Sequence, residues 1–245
     1  MTSKVLVCPV AFNEHVKLRS VIERFFKSRI HDKVDYLIVD DGSDDGTTEV
    51  IAEYKTRGAQ TIKHAKRSGV GAAIRTAIQY ARRGGYHIIV IMAGNDKDNP
   101  EEIPHLLEPI IHDGFDLAQG SRYLGKVGSG GDMPFYRKLA TRLHPWVFFI
   151  LTGRCLSDTT NGFRAIRLSM FDDKRINLDQ GWLNTYELEP YILWKAVTLG
   201  YKFKEVFVTK IYPSKQLGGY TKMIPFVSWW SILRPLFLLR LGIKK

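Results

Sequence analysis

The chain has 245 residues, a length that suits one large domain or one domain with an appendage. An apolar content of 44% supports a substantial core, while a net charge of +11 and a pI near 9.6 point to an anionic partner: nucleic acid, a phosphorylated ligand or an acidic membrane surface. Its two cysteines, Cys8 and Cys155, have neither CxxC nor zinc spacing, which argues against a disulfide scaffold and for a reducing compartment.

The opening MTSKVLVCPV is too short in its apolar part for a signal peptide and reads as a first strand over Lys4–Cys8. A helix over His15–Ser28 follows, with Leu18, Val21, Ile22, Phe25 and Phe26 at helical spacing. A strand at Val34–Val39 runs into DDGSDDGT, a short helix covers Thr48–Tyr54, and a brief strand at Thr61–Lys63 precedes RSGVGAAIRTAIQYARR, a glycine-rich start to a helix. His87–Met92 is apolar throughout, as suits a strand buried in a parallel sheet. Pro100 opens a helix with Ile103, Leu106, Leu107, Ile110 and Ile111 on its buried face, and Leu117–Gln119 is a further short strand. Strand and helix alternate, so the expected fold is α/β: an open, mostly parallel sheet with helices on both faces. Ligands of such sheets bind at the carboxyl ends of the strands, and the polar clusters after Cys8, Val39, Met92 and Gln119 all fall there.

The second half is less regular. Pro134–Thr152 reads as a helix carrying Trp146, Phe148, Phe149 and Ile150; SDTTNGFRAIR is a turn leading into a strand; Tyr186–Leu199 is a helix and Phe203–Tyr212 a strand. PSKQLGGYTK is a glycine-containing loop, and MIPFVSWWSILRPLFLLRLGIKK is apolar and aromatic with a basic tip.

Each polar cluster has two readings. DDGSDDGT offers up to four carboxylates after a strand; it is either a turn with a helix cap or a site in which Asp40, Asp41, Gly42 and Ser43 meet a nucleoside. In Ala11-Phe12-Asn13-Glu14, the last two residues either cap the next helix, or Phe12 packs on a base and Glu14 accepts a sugar hydroxyl. RSGVG, with Lys66 before it and Gly71 within it, is similar to a phosphate-cradling loop, although a lone GxG is weak. Arg122, Arg137, Arg164, Lys210 and Lys222 add cations.

The set FNE, DDGSDDGT, GVGAAIRTAI, GSRY, DTTNGFRA and YELE…A…GYKFKEV occurs in the order and spacing of family 2 glycosyltransferases, and most resembles the branch of dolichyl-phosphate mannose and glucose synthases. The resemblance covers Lys4 to Lys222. It implies a GT-A domain over residues 1–222, a nucleotide-diphosphate sugar as donor, a polyprenyl phosphate as acceptor, and inverting transfer at a membrane. By position, Asp40 and Asp41 would contact the nucleoside, Arg122 and Arg137 would contact phosphates, and Thr221-Lys222 matches the family's Ser-Lys. Three departures stand out. Pro9 comes one residue before its usual place, which Val10 holds; Lys210 replaces an arginine, losing bidentate phosphate binding; and Ala93-Gly94-Asn95 occupies the position of the Asp-x-Asp metal motif.

The departing diphosphate needs positive charge, usually a divalent cation. Asn95 keeps a carbonyl oxygen. Asp96 and Asp98 could hold Mg2+ or Mn2+ as a motif shifted by three residues. Alternatively Lys97, near the family's further metal-binding position, supplies charge directly with Arg122 and Lys222, making the site metal-independent. The plain alternative is a solvated loop capping the Pro100 helix, with no transferase chemistry and at most a nucleotide-sugar-binding role. A phosphate acceptor needs no general base, because its second pKa is about 6; a glycan hydroxyl would, and Asp158, Glu187 and Glu189 are the candidates.

The segment 223–245 is expected to form an appended helix. Ile224–Ile243 has spanning length, but Arg234 sits at its middle, so an interfacial helix anchored by Trp229 and Trp230 on an anionic cytoplasmic leaflet fits better; a homo-oligomer contact is the alternative. The chain is thus expected to be cytoplasmic and peripheral on a membrane. No nucleic-acid-binding motif appears, so nucleic acid is not an expected partner.

Overall fold

The structure, a computed structural model, describes residues 3–125, 130–131, 133, 135–212, 223 and 227–245. Lys222, the Thr221-Lys222 motif and the expected boundary at 222/223 lie outside the described residues.

The first half alternates as the periodicity predicts: β1 (Val5–Ala11), α1 (His15–Lys27), β2 (Asp35–Asp40), α2 (Thr47–Glu53), β3 (Gln60–Lys63), α3 (Val70–Arg83), β4 (Ile88–Ala93), α4 (Ile103–Ile111) and β5 (Leu117–Ser121). After these come β6 (Gly130–Gly131), α5 (Phe135–Thr152), β7 (Arg164–Arg167), α6 (Leu188–Thr198), β8 (Phe203–Phe207), β9 (Ile211–Tyr212) and α7 (Val227–Arg240).

Seven strands form one sheet in the order β3-β2-β1-β4-β7-β5-β8, parallel except for β7, which runs antiparallel to both β4 and β5. Alternation along the strands sorts the core into two layers. Val5, Val7, Ile38, Val90 and Met92 face α1, α2 and α4, whereas Leu6, Cys8, Leu37, Val39, Ile89 and Ile91 face α3 and α6. Burial on both faces explains why these strands are apolar throughout.

Register sets the position of the site. Ala11 pairs with Asp40, and Val10 with Ala93, so β1, β2 and β4 end level at one edge of the sheet. Because β7 is antiparallel, its first residue, Arg164, pairs with Ile91 and Gln119 near that same edge, which carries the preceding DTTNGF segment there too.

The expected single strand Phe203–Tyr212 is two strands. The intervening residues are drawn off by side chains: Thr209 donates its amide and hydroxyl to Glu102, at 3.0 and 2.8 Å, and Lys210 reaches Asp98. The Pro100 helix begins with a 3-10 turn over Pro100–Glu102, where Asn99 Oδ1 accepts from the Glu101 amide, and becomes α4 at Ile103.

Candidate active site

A cavity of about 490 Å³ opens at the carboxyl edge of the sheet. Its floor comes from the ends of β1 and β4, one wall from the start of α3, and the opposite wall from the inner face of α5, with Trp229 and Ile232 of α7 also lining it. A second depression, at the amino end of β4 beside Arg82, Arg83 and His87, holds no comparable convergence of segments; Arg82 there is engaged by Asp172 at 2.8 Å.

Of the residues expected to bind a nucleotide sugar, Ala11, Phe12, Glu14, Asp41, Asn95 and Lys97 line the cavity. The guanidinium of Arg67 lies 4.4 Å above the Phe12 ring, a flat cationic platform at the cavity wall. Asp41 is reached at 2.9 and 2.8 Å by the amides of Ser68 and Gly69 and at 2.8 Å by His64. Glu14 is paired with Lys17 at 2.7 Å.

Other expectations are corrected. Asp40 is fully buried and does not line the cavity: it accepts from the Ser43 amide at 2.9 Å and the Thr48 hydroxyl at 2.8 Å, so it builds the turn. Ser43 is likewise structural, its hydroxyl accepting from the Asn13 amide at 2.9 Å. Gly42 has φ +77°, and a Cβ there would meet the backbone of Lys66 and Arg67, so it is required for chain approach. Lys66 is exposed and outside the cavity lining. The RSGVG loop does not present its amides as a phosphate cradle: those of Ser68 and Gly69 are spent on Asp41, and Gly71 is required because a Cβ would strike the carbonyls of Leu183 and Thr185.

Arg122 and Asp158 form a buried unit. Arg122 donates through Nε at 2.6 Å and Nη2 at 2.7 Å to the two oxygens of Asp158, and through Nη1 to the Tyr212 hydroxyl at 2.8 Å. Burial by itself would raise the Asp158 carboxyl, but the guanidinium outweighs it and holds the group below the usual carboxylate range. Asp158 is therefore an orienting carboxylate for Arg122 and does not line the cavity as a base would. Arg164, one of the expected cations, is buried and donates to the carbonyls of Glu189 and Asn161, so it is no phosphate ligand. Glu187 is taken by Arg234 of α7 and by Thr185. Glu189 does face the cavity, and burial pushes its carboxyl up against the pull of Arg164 and Lys210.

The stretch after β4 carries the candidate metal ligands. Asp96 takes a left-handed backbone, φ +60°, and its carboxylate turns to Arg24. Asp98 turns the other way, accepting from the Ala93 amide at 2.9 Å and from Lys210 Nζ at 2.6 Å. The two carboxylates thus do not converge, and among the described residues no group of three His, Cys, Asp or Glu side chains is placed to hold a metal ion. Ala93 and Gly94 offer no side-chain ligand, and Gly94 has no room for one, since a Cβ would sit 3.0 Å from Ala11 Cβ and Val10 O. The donor set does not fit a divalent cation held by paired carboxylates. The turn brings Lys97 to the cavity between Asn95, whose buried Oδ1 has no hydrogen-bond partner among the described residues, and the Lys210-bound Asp98. Arg137, from the first turn of α5, enters from the opposite wall.

Sequence reasoning passed over His144, Thr185 and Tyr186, all of which line the cavity. His144 faces inward from α5, where its Nδ1 meets Thr159 at 2.7 Å, and burial lowers its pKa to about 4. A neutral buried histidine on a helix gives no distinct signal in the chain.

The family model for "Glycosyl transferase family 2" matches residues 7–173. The chain is 28% identical over 223 residues to a polyprenol monophosphomannose synthase of Mycolicibacterium smegmatis, covering 89% of this chain and 80% of that protein. It is 31% identical over 209 residues to an undecaprenyl-phosphate mannosyltransferase of Micrococcus luteus, covering 78% and 80%. Among solved structures, glucosyl-3-phosphoglycerate synthase of Mycobacterium tuberculosis, in complex with Mn2+, UDP and phosphoglyceric acid, superposes with a TM-score of 0.69 at 18% identity, covering 99% of this chain and 80% of that one. At that identity the likeness is one of fold. The chain belongs to glycosyl transferase family 2, is a glycosyltransferase and has the GT-A fold.

Proposed function

We propose that this family 2 glycosyltransferase moves a sugar, with inversion, from a nucleotide-diphosphate sugar to a polyprenyl phosphate at a membrane surface. The observation that carries the reading is the double use of α5. Its inner face brings Arg137, Thr141 and His144 to the cavity, while its outer face exposes Phe135, Leu139, Leu143, Trp146 and Ile150, between 48% and 80% of each. These residues recur every three or four positions and so form one stripe. Exposed Lys138 and Arg142 flank it, and Trp230 of the neighbouring α7 adds to the apolar surface. An apolar stripe edged with bases and aromatics on a cavity wall suits an enzyme whose acceptor head is polar and whose tail stays in lipid.

The chemistry agrees. A phosphate monoester is mostly dianionic at neutral pH and attacks without a general base; of the three candidate bases, Asp158 is locked on Arg122 and Glu187 on Arg234, both outside the cavity lining, and Glu189 alone faces the cavity. An acceptor oxygen would approach the anomeric carbon from the side opposite the leaving diphosphate, with Arg122 and Arg137 meeting phosphate oxygens. The named relatives that act on polyprenyl phosphates support the same acceptor class. Among the described residues no helix is long and apolar enough to cross a membrane, and a surface-bound enzyme needs none.

The reaction is tested by incubating the purified protein with polyprenyl phosphate and labelled UDP- and GDP-sugars. A lipid-extractable product labile to mild acid is expected; transfer only to a free glycan hydroxyl would replace this reading. The membrane face is tested separately. Trp146→Glu with Ile150→Glu should reduce co-sedimentation with phosphatidylglycerol vesicles at least tenfold, since each side chain contributes about 1.5–3 kcal/mol on burial. Both side chains are exposed, at 66% and 75%, so nucleotide binding should be unchanged. Vesicle binding equal to the wild type would show that this face is not the contact.

A further inference from the structure

A solved neighbour was crystallised with Mn2+ and UDP, whereas the turn after β4 in this chain brings a lysine into the cavity. The turn after β4 is built around that lysine. Three ties fix its backbone: Asp96 to Arg24 on one side, Asp98 to Ala93 and Lys210 on the other, and the Lys97 carbonyl accepting from the Ile211 amide at 3.1 Å. Asp96 turns away to Arg24, Asp98 lies at the cavity wall but is held by the Ala93 amide and Lys210, and Lys97 points in, 5% exposed.

The surroundings of its ammonium are cationic and aromatic. Lys97 Nζ lies 5.5 Å from the centre of the Tyr212 ring, and the Arg137 guanidinium lies 5.5 Å from the same ring centre. Lys210, already bound to Asp98 and Asn161, stands close by. Among the described residues no carboxylate is within ion-pair distance of Lys97 Nζ; the nearby Glu14 and Asp98 are held by Lys17 and Lys210. Burial first, and then repulsion from Arg137 and Lys210, lower the Lys97 pKa to about 7. Lys210 has Asp98 as its anion, whereas Lys97 and Arg137 form no ion pair with a carboxylate among the described residues, so an entering anion meets two cations it can balance.

We propose that the Lys97 ammonium, with the Arg137 guanidinium, takes the place of the divalent cation, so that this enzyme binds the nucleotide diphosphate and expels it without a metal. The inference rests on the donor assignment above and deepens it. In the transfer step an acceptor phosphate oxygen bonds to the anomeric carbon. The bond from that carbon to the β-phosphate oxygen breaks, and its electron pair stays on the diphosphate. Lys97 and Arg137 meet that growing charge through N–H donors; no proton need move and no redox partner is required. Asn95, whose Oδ1 has no partner among the described residues, is suited to receive an N–H of Lys97 or a donor hydroxyl.

The test is calorimetry of UDP and GDP binding to the full chain stripped with EDTA, repeated with added Mn2+ and with uridine and guanosine as controls. The expected result is that the preferred diphosphate binds in EDTA, that Mn2+ changes its affinity less than twofold, and that Lys97→Gln weakens it at least tenfold while leaving the nucleoside's affinity unchanged. Lys97→Gln should also unfold at the same or a higher temperature, because it removes a crowded charge; Lys97→Arg should retain metal-free binding. Binding that appears only with Mn2+, or a Lys97→Gln variant that holds the diphosphate as tightly as the wild type, would overturn the proposal. The readout needs no acceptor, so a failed assignment of the lipid leaves it intact. If neither diphosphate binds with or without Mn2+, the donor reading itself falls.

Discussion

Asp158→Ala is expected to lower stability by about 3–5 kcal/mol, the range for removing one partner of a buried ion pair. At roughly 2–4 °C per kcal/mol for a chain of this size, the unfolding midpoint should drop by about 6–20 °C. The pair is among the most deeply placed in the molecule, with Arg122 2% and Asp158 0% exposed, and the variant strands a guanidinium that has lost both carboxylate contacts. Tyr212 and Thr160 still accept from it, but neither carries charge. Transfer activity should fall at least 10²-fold even at temperatures where the variant is folded, since Arg122 would lose its orientation toward the cavity. A double variant, Arg122→Met with Asp158→Leu, separates the two effects: it should regain most of the stability and none of the activity. The pair also sets an acid limb. The Asp158 carboxyl is lowered in the folded chain, so its contribution is present above the unfolded value of about 4 and is lost as pH falls through the folded value. Chemical denaturation across that range should show the wild type losing stability faster than the double variant; parallel curves would mean that the pair contributes nothing to folding.

The architecture was legible because apolar periodicity is a local property. His87–Met92 and the stripe of α1 announce themselves within a few residues, and the ends of strands follow from where the runs stop. What each polar residue does at those ends was not legible, because it depends on side-chain direction. Asp40 and Asp41 are adjacent, so they point to opposite sides; one completes a turn and the other meets the cavity. Asp96, Lys97 and Asp98 repeat the lesson. Spacing alone made Asp-x-Asp look like a ligand pair, yet the left-handed backbone at Asp96 and the capture of Asp98 by Lys210 commit the two carboxylates to different partners and leave the lysine between them to enter the cavity. Assigning Asp158 to Arg122 needed still more: β7 had to be known to run antiparallel between β4 and β5, which places the turn before it against the end of β5. Neither partner's sequence neighbourhood contains that information.

Asp98 offers the sharpest discrimination between a metal ligand and a structural staple. If it were a ligand waiting for Mg2+ or Mn2+, Asp98→Ala would be as stable as the wild type in EDTA and would lose only its response to metal. The structure predicts the opposite. Asp98 is 1% exposed, accepts the Ala93 amide that ends β4, and neutralises Lys210, itself 7% exposed. Its removal leaves a buried ammonium with Asn161 as sole acceptor among the described side chains, so denaturation in EDTA should show a loss of about 3–5 kcal/mol. Pairing the change with Lys210→Met should recover most of that loss. Asp98→Asn separates charge from geometry: its side-chain oxygen can still accept from Ala93, while Lys210 loses its counter-ion. Diphosphate affinity should fall further in Asp98→Ala than in Asp98→Asn, because the alanine releases the turn that aims Lys97. Equal affinities in the two variants would mean that the staple to Ala93 has no part in presenting the lysine.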